Sequence, residues 1–392
     1  MRVLVSPAPV ALENPYLVML YEAMVHDPPE VNAFSSRALL RRADVIHVHW
    51  PEYLVRWPQL PVAVFDVIKV VTLLGLARAR GAAVVWTGHN LEPHELRRRR
   101  LWRIFFWLFL GQTDLLISMS SGATELLRAR YPRIARTRTV VIPHGDYRYR
   151  YTGTPDVRAV RNELGIDASP VFLAFGQVRP YKNLPGLVRA LREMSPPEMS
   201  LRPQLVIAGK PIGTKLADEI RLAAQGDSQV HLLLRYVADD EVAGLFAVAD
   251  VVVASYLPGS ALNSGVALLA LSFGRPVVLT DGAASRDLQS IVGADWVRLC
   301  DGTPDDALRV AADLASEAGG RTQAMPDLSS LAWEAVGVRT LRAYADAMAT
   351  RRGRRTRLHG LRLPPASQSL LGTAGLKSAR PEDRLAQEER RP

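Results

Sequence analysis

Two short segments concentrate histidine and glutamate directly after apolar, strand-like runs. The run Val45–His49 leads into H-V-H-W-P-E at residues 47–52, and the run Ala83–Thr87 leads into T-G-H-N-L-E-P-H-E at residues 87–95. Because parallel strands end at the same edge of their sheet, we expect these loop side chains to share one rim. A histidine or carboxylate there could remove a proton from a hydroxyl group or hold a phosphate oxygen. The candidates are His49, His89, Glu92, His94 and Glu95.

A purely structural role is the simpler interpretation for some of these residues. His47 lies inside its strand, where a histidine is usually a satisfied core residue, and a loop glutamate such as Glu92 can cap the following helix. The histidines lack the helical H-x-x-x-H spacing of many metal sites. We therefore expect no metal ion at this rim.

The second half of the chain carries three glycine-containing turns beside apolar runs. F-G-Q-V-R-P-Y-K-N (175–183) and A-G-K-P (208–211) each follow a run, and N-S-G (263–265) precedes a helical segment. Glycine lets a ligand approach the backbone, two basic side chains three residues apart can neutralise a diphosphate, and a helix start offers N–H groups to an anion. These turns predict a nucleotide diphosphate site formed by Gly176, Gln177, Arg179, Lys182, Gly209, Lys210, Asn263, Ser264 and Gly265. Neither a G-x-x-x-x-G-K-[ST] motif nor a suitably placed G-x-G-x-x-G motif supports an ATPase or an NAD-dependent enzyme.

The segments that carry these residues are placed by a regular series of short apolar runs, most of them followed by a helix-length segment. This order is typical of parallel sheets buried on both faces. We expect two doubly wound domains that face each other across a ligand-binding cleft, with residues 1–155 in the first, 156–350 in the second and a final helix near 331–349. The predicted strands are Val3–Ser6, Val45–His49, Ala83–Thr87, Leu115–Met119, Val140–Pro143, Val171–Phe175, Leu205–Ala208, Val230–Leu234, Val251–Ser255 and Pro276–Leu279.

Composition agrees with a two-domain globular protein. The chain has 392 residues, of which 48% are hydrophobic and 22% are charged, so wholesale disorder is excluded. Its one cysteine, Cys300, allows neither an intrachain disulfide nor a cysteine-based zinc site. No signal peptide is recognised at the N-terminus, and no apolar run is expected to reach the roughly 20 residues of a spanning helix. These features favour the cytoplasm.

The net charge of +10 is concentrated at the C-terminal end. Residues 351–392 hold 11 Lys and Arg but only 4 Asp and Glu, and their Pro, Ser, Gly and Ala content predicts disorder. No aromatic residue is interleaved with these basic residues, so nucleic-acid binding is not expected.

A second basic cluster adjoins aromatic residues at Arg97–Leu110, which reads R-R-R-R-L-W-R-I-F-F-W-L-F-L. Such a segment can lie in the interface of an anionic membrane, with its arginines near the headgroups. A fully buried helix with a solvated arginine start explains the same pattern. Both interpretations stay open at this point.

The second half resembles the nucleotide-sugar-binding domain of GT-B glycosyltransferases. The first half looks like the acceptor domain of the same enzymes, particularly bacterial ones that build exopolysaccharides or lipid-linked sugars, through H-V-H-W-P-E and T-G-H-N-L-E-P-H-E. The resemblance implies a GT-B fold of two Rossmann-like domains and transfer of a hexosyl residue from a nucleotide diphosphate sugar to a saccharide or lipid-linked acceptor. In the second half it is carried by Gly176–Asn183, Leu205–Gly209, Tyr236–Asp240, Ala249–Val253 and Asn263–Val278.

The resemblance also implies roles for individual residues and shows where this chain departs from the family. Many retaining members have two glutamates where this chain has Ala261 and Leu269, and Gln177 replaces an arginine. We therefore expect an inverting displacement without a metal or other cofactor, with Glu92 as the base and His89 beside it. The expected acceptor-binding residues are His49, Trp50, Glu52, Asn90 and His94.

Two other functions fit the same motifs. A sugar-nucleotide epimerase of similar fold would need no separate acceptor and no membrane. A catalytically silent relative would bind a nucleotide sugar or a partner without turnover. For the transferase, a lipid-linked acceptor favours a location at the inner face of the plasma membrane.

Overall fold

The structure is a computed structural model that describes most of the chain. The described residues are 1–9, 15–25, 27–57, 59–93, 98–151, 153–167, 170–194, 202–257, 262–318 and 325–352. Residues 353–392 of the basic tail for which disorder is predicted lie outside these residues, as do His94, Glu95 and Arg97, whereas residues 351 and 352 end the last helix.

The first half forms a six-stranded parallel sheet in the order β2-β1-β3-β4-β5-β6. Its central strands are apolar and completely buried, because helices cover both faces. The elements are β1 (Arg2–Ser6), α1 (Tyr16–Glu22), β2 (Glu30–Ala33), β3 (Val45–Val48), α2 (Leu60–Ala79), β4 (Ala83–Gly88), α3 (Arg99–Leu110), β5 (Leu115–Ser118), α4 (Ser121–Arg130) and β6 (Arg138–Val141).

The second half repeats this architecture, with strands in the order β12-β11-β10-β7-β8-β9. All of its strand pairs are parallel. The elements are α5 (Val157–Leu164), β7 (Val171–Phe175), α6 (Leu184–Glu193), β8 (Gln204–Ala208), α7 (Thr214–Ala224), β9 (Val230–Leu233), α8 (Asp239–Val248), β10 (Val251–Ala254), α9 (Gly265–Ser272), β11 (Val277–Thr280), α10 (Ala283–Val292), β12 (Val297–Cys300), α11 (Pro304–Ala318) and α12 (Trp333–Arg352).

All ten predicted strands are present, but two strands were missed. β2 and β12 both lie at sheet edges, where one side of a strand has no neighbour and polar residues are tolerated. Their sequences, E-V-N-A and V-R-L-C, are short and interrupted by polar or charged residues, so they were not recognised as buried strands.

The last helix returns to the first sheet. Although chain order groups α12 with the second domain, it packs on β4, β5 and α1. Tyr344 is fully buried there, in the same apolar cluster as Val3 and Val85. The approach is close, since a Cβ atom on Gly337 would lie 2.6 Å from the Ala23 carbonyl oxygen. The C-terminal end of the described chain therefore completes the core of the first half.

The expectation that no apolar run reaches the length of a spanning helix is wrong. α2 has 20 residues and a window with a mean hydropathy of 2.1, so by length and composition alone it could cross a membrane. About a third of that window, 33%, is buried against the protein. The charges of Asp66, Lys69 and Arg78 interrupt the sequence run, which is why the apolar character of the helix was missed.

The two sheets are joined by a direct contact between α4 and α10. The backbone N–H of Gly122, in the first turn of α4, donates a hydrogen bond of 2.7 Å to Asp287 Oδ2. A side chain at Gly122 would collide with Ala283, so this helix crossing requires glycine. The contact closes one side of the cleft between the sheets.

Candidate active site

The two histidine-containing loops meet at the rim of the first sheet, as predicted. His49 Nδ1 lies 3.0 Å from His89 Nε2, and the His89 ring stacks on Trp50 with centroids 4.3 Å apart. Beside them is a small cavity of about 20 Å³. Among its lining residues are four of the five predicted acceptor-binding residues, together with His89 and an aromatic wall: His49, Trp50, Glu52, Asn90, His89, Trp86, Trp102, Phe106 and Tyr131.

Burial keeps the histidines of this rim neutral. It lowers the pKa of His47 to about 3 and the pKa values of His49 and His89 well below the usual range. At neutral pH these rings can exchange hydrogen bonds, but they carry no charge. They are therefore suited to orienting an acceptor hydroxyl, and not to neutralising a diphosphate.

A hydrogen-bonded chain connects the histidines to the last helix. Tyr344 of α12 places its hydroxyl 2.7 Å from His47 Nδ1. The Tyr21 hydroxyl lies 3.0 Å from the same nitrogen and 3.1 Å from His49 Nε2. Burial raises the pKa of both tyrosines, so their hydroxyls stay protonated. The chain then continues from His49 to His89 and fixes the orientation of both rings.

Among the residues that the structure describes, Glu52 is the one acidic residue that lines the small cavity. It lies in a short 3-10 helix, Pro51–Leu54, that directly follows β3. Burial raises the pKa of Glu52 to about 7. A carboxylate with that pKa can accept a proton near neutral pH, which a fully solvated glutamate does far less effectively.

Glu92, the predicted base, is held elsewhere. Its carboxylate forms an ion pair with Arg130 of α4, with Arg130 Nε 2.8 Å from Glu92 Oε1. The Glu92 side chain is 41% exposed and does not line the cavity. Arg98, six residues further along the chain, donates from Nε to the Trp57 carbonyl oxygen. The catalytic role of Glu92 thus stays a prediction without support from the geometry.

The predicted donor residues gather around the start of α9. A Cβ atom on Gly176 would lie 3.3 Å from Val266 Cγ2 and 3.6 Å from Lys182 Nζ, so turn, lysine and helix start are adjacent. Gly176 and Gly209 have φ values of +85° and +150°, and a side chain on Gly209 would collide with the Gly176 carbonyl. Both glycines are thus required by backbone geometry.

Lys182 and Arg179 differ in how they are held. Lys182 is buried and donates to the Phe175 carbonyl oxygen at 2.8 Å. Burial, aided by the charge of Arg179, lowers its pKa to about 7. Arg179 donates to Gln177 Oε1, 2.7 Å from its Nη2. Lys210, in the next turn, is exposed.

A larger cleft of about 210 Å³ lies between the two sheets. Ser264 caps α9 by accepting a hydrogen bond from the Ala267 N–H, and Asn263 Nδ2 reaches Met119 Sδ of the first half at 3.0 Å. The residues that line the cleft include Met119, Ser120, His144, Tyr256, Asn263, Ser264, Thr280, Asp281 and Asp287.

Sequence reasoning missed His144 and Tyr16. His144 follows the predicted strand at 140–143, in the same position as His49 and His89 after theirs, so the signal was present in the sequence. Burial lowers its pKa to about 4. The Tyr16 ring lies between the two regions, 4.9 Å from the His89 ring and 4.7 Å from the His144 ring. Tyr16 therefore contacts one histidine that lines the small cavity and one that lines the cleft between the sheets.

No group of three or more His, Cys, Asp or Glu side chains within the described residues is arranged to hold a metal ion. The expectation that the reaction needs no metal is a separate matter and stays a prediction.

Comparison with known proteins connects both halves to one group of enzymes. The sequence model described as "Glycosyl transferases group 1" matches residues 169–311, within the second half. A GDP-mannose:glycolipid 4-beta-D-mannosyltransferase from Xanthomonas campestris pv. campestris is 33% identical over 347 residues, which cover 87% of this chain and 90% of that protein.

Solved structures give the same fold at lower identity. HepE from Anabaena, solved with UDP and glucose, is 17% identical with a TM-score of 0.57, over 90% of this chain and 98% of that one. Sucrose-phosphate synthase from Thermosynechococcus elongatus is 19% identical with a TM-score of 0.55, over 78% and 74%. The predicted arrangement of two Rossmann-like sheets in the GT-B manner is confirmed.

Proposed function

The chain belongs to the group 1 glycosyltransferases, and from this premise we propose that it transfers a mannosyl residue from GDP-mannose to a glycolipid. The relative whose name states that reaction shares 33% identity over 87% of this chain, whereas the structure solved with UDP and glucose shares 17%. The observation that carries the proposal is the site itself. A partly buried glutamate and neutral histidines line one cavity, and Lys182 and Gly176 lie beside the start of α9, where Asn263 and Ser264 line the cleft.

The donor is proposed to bind at the second sheet, with its diphosphate at the start of α9. Gly176 allows close approach of the phosphates, and the N–H groups of the first turn after Ser264 face the same region. Lys182 would gain its full charge as the diphosphate arrives, because a nearby anion favours the protonated ammonium group. Arg179 and Lys182 would then stabilise the departing nucleotide diphosphate.

Glu52 is proposed as the general base, in place of Glu92. Glu52 and His89 line the same cavity, and the Glu52 pKa of about 7 suits proton removal near neutral pH. The relative's name specifies a β-linked product. An α-linked nucleotide sugar gives such a product only by inversion, which requires a base on the acceptor side. The neutral imidazole of His89 would hold the acceptor hydroxyl in line for attack.

A radiolabelled transfer assay tests this function directly. The purified protein is incubated with GDP-mannose or UDP-glucose and a lipid-linked saccharide acceptor in detergent. We expect label in the lipid fraction with GDP-mannose. Label only with UDP-glucose would overturn the choice of donor. An altered nucleotide sugar without any acceptor would favour the epimerase, and binding without turnover would favour a silent relative.

We propose that the protein acts on the cytoplasmic side of the membrane, through Arg97–Leu110. One face of α3 fits the interpretation of this segment as a buried helix, and the other face fits a helix in the membrane interface. It buries Trp102 and Phe105 in the core, while Ile104 and Trp107 are 57% and 54% exposed beside exposed arginines. Arg97 lies outside the described residues. Nucleic acid is not a proposed partner.

We also propose, as the sequence led us to expect, that the reaction needs no metal ion. Protein cations and a helix start can stabilise the leaving diphosphate instead. Transfer in the presence of a chelator should match transfer without it. Loss of activity that returns on adding a divalent cation would overturn this point.

A further inference from the structure

The solvent-facing side of α2 carries little charge. Lys69, with a 40% exposed side chain, is the one charged residue of this 20-residue helix with substantial exposure, although surface helices normally present many charged side chains to water. Phe65 and Ile68 are each 61% exposed, and Leu76 is 53% exposed. The exposed positions are Leu60, Pro61, Val64, Phe65, Ile68, Thr72, Gly75, Leu76 and Ala79.

The charged residues of α2 are neutralised by ion pairs. The Asp66 side chain is 1% exposed and binds Arg56 Nε at 2.7 Å and Lys69 Nζ at 2.8 Å. Lys69 Nζ also lies 5.7 Å from the centroid of the exposed Phe65 ring. Near the other end, Arg78 pairs with Asp114 at 2.7 Å. The helix therefore buries a neutralised carboxylate and presents large apolar side chains to the outside.

α3, which packs against α2, also exposes apolar side chains. These are Ile104 and Trp107, and the neighbouring Arg99, Arg100 and Arg103 are exposed, while the Arg133 guanidinium lies over the Trp107 ring. α3 contains no acidic residue, and within the described part of the chain no carboxylate pairs with these three arginines. A large apolar area bordered by arginines complements the acyl region and the phosphates of an anionic lipid surface.

We propose that the exposed faces of α2 and α3 form a docking surface for an anionic lipid bilayer, with α2 lying in the plane of the interface. A spanning orientation does not fit, because the other side of α2 is built into the core through Ala63, Val67, Val70, Leu74 and Ala77. At 1.5 Å per residue the helix presents an apolar ridge about 30 Å long.

The inference rests on the proposed function in one respect, namely that the acceptor is a lipid. Trp102 and Phe106, on the inner face of α3, line the cavity that contains Glu52. Ile104 and Trp107, on its outer face, belong to the docking surface. A lipid-linked saccharide would therefore pass from the bilayer to the base over roughly one helix diameter, about 10 Å.

A second copy of the chain is the competing occupant, and charge argues against it. Two-fold pairing of like surfaces would bring the exposed arginines of both copies into one interface without carboxylates from α3. An anionic bilayer supplies the missing negative charges.

Vesicle sedimentation with the full chain tests the proposal. The protein is mixed with vesicles of phosphatidylcholine alone or with added phosphatidylglycerol, at low and high salt. We expect binding to the anionic vesicles at low salt and partial release at high salt. The double variant Phe65→Ser/Ile68→Ser should bind at least about tenfold more weakly, because two large side chains no longer enter the interface.

Leu222→Ser is the matched control. Leu222 is 71% exposed on α7, in the second half of the chain, so its loss should leave vesicle binding unchanged. The variant Arg99→Gln/Arg100→Gln/Arg103→Gln should lose most of the preference for anionic vesicles. All substitutions are at exposed positions, and thermal unfolding checks that each variant is folded.

Three results would overturn the proposal. The first is a parent protein that stays in the supernatant with anionic vesicles at low salt, and the second is a Phe65/Ile68 variant that binds these vesicles as well as the parent. Alternatively, light scattering without lipid could show a dimer that this variant converts to a monomer, which would assign the surface to a second copy.

Transfer assays separate this inference from the proposed function. With a short-chain acceptor and no vesicles, the Phe65/Ile68 variant should match the parent, whereas with an acceptor embedded in vesicles it should be slower. If the parent binds vesicles through α2 but transfers no sugar in either format, the proposed function fails and the docking surface stands.

Discussion

The rims of the two sheets are built alike but differ in charge. At the first rim, burial holds the histidines neutral and raises the pKa of Glu52 to about 7. At the second, Lys182 and Arg179 stand beside a helix start, and burial lowers the pKa of Lys182 to about 7. Desolvation disfavours the charged form of both groups. Glu52 can therefore accept a proton near neutral pH, and an arriving anion would restore the full charge of Lys182.

The comparison also shows how each site is assembled. The second rim uses short, continuous motifs, and its glycine, lysine and serine positions lie beside strands and a helix of one sheet. The first rim draws Tyr21 from α1 and Tyr344 from α12, on opposite ends of the described chain. A proton-transfer site needs fixed ring orientations, and long-range packing supplies them.

Glu52→Gln should have the largest effect, because it removes the base and keeps the size of the side chain. We expect kcat to fall by roughly 10²- to 10⁴-fold, with donor affinity nearly unchanged. In the parent, kcat should rise as pH increases through about 7, where Glu52 loses its proton. Steady-state kinetics from pH 5.5 to about 8.5 provide the measurement.

Glu92→Gln is the matched control for that variant. Glu92 is paired with Arg130 outside the cavity, so kcat should stay within a few-fold of the parent. If kcat instead falls strongly in Glu92→Gln and stays near the parent value in Glu52→Gln, Glu92 is the base and Glu52 takes no part in proton transfer.

Lys182→Ala should have the next largest effect, and it tests the role of the positive charge at the second rim. Removing a charge-assisted contact to the diphosphate is expected to lower kcat/KM by about 10- to 150-fold. In the parent, donor affinity should weaken as pH rises above about 7, where the ammonium group loses its proton. Steady-state kinetics measure the change in kcat/KM, and titration calorimetry with the nucleotide diphosphate measures the pH dependence of affinity. A correctly folded variant with unchanged kcat/KM would remove Lys182 from the donor site.

The neutral histidines should make the protein sensitive to acid. Their pKa values are lower in the folded than in the unfolded chain, so stability is complete above about 6.5 and is lost as pH falls toward the folded values. As the pH falls from 6.5 to 5, each buried histidine should lower the free energy of unfolding by on the order of 2 kcal/mol. Glu52 has the opposite pH dependence, because its raised pKa lowers the free energy of unfolding as the pH rises from about 4.5 to 7.

Urea unfolding at several pH values measures this dependence. His47→Gln should reduce the loss of stability on acidification by about one histidine's share. His231→Gln, on the edge strand β9, should change it less, because His231 is only partly buried. Equal slopes for the parent and His47→Gln would show that His47 is not held neutral by burial.

Much of the fold could be predicted because buried parallel strands leave a strong local signal. Ten of the twelve strands were predicted from apolar runs, and the two that were missed lie at edges with polar residues. The apolar character of α2 was missed for a related reason. Its charges Asp66, Lys69 and Arg78 interrupt the apolar run in the sequence, and only the helix geometry shows that most exposed positions are uncharged.

The candidate site was predicted in part. The loops that carry His49 and His89 follow directly from strand ends, so their meeting could be expected. The preference for Glu52 over Glu92 could not, because it depends on which carboxylate is buried and which one reaches Arg130. The pairing of His47 with Tyr344 spans 297 residues and depends on the return of α12 to the first sheet.

Tyr344→Phe is expected to have the smallest effect, and it asks whether the first rim needs its connection to α12. The variant removes the hydroxyl that lies 2.7 Å from His47 Nδ1 but keeps the buried ring. The Tyr21 hydroxyl, 3.0 Å from the same nitrogen, can still satisfy it, so the cost should be about 1 kcal/mol of unfolding free energy. We expect kcat to fall less than tenfold. Tyr21→Phe should cost more, because that hydroxyl also bonds His49 at 3.1 Å and so holds the ring that contacts His89. If Tyr344→Phe instead lowered kcat a hundredfold in a stably folded protein, α12 would be part of the proton-transfer network, and the two rims would differ in their dependence on the C-terminal helix as well as in charge.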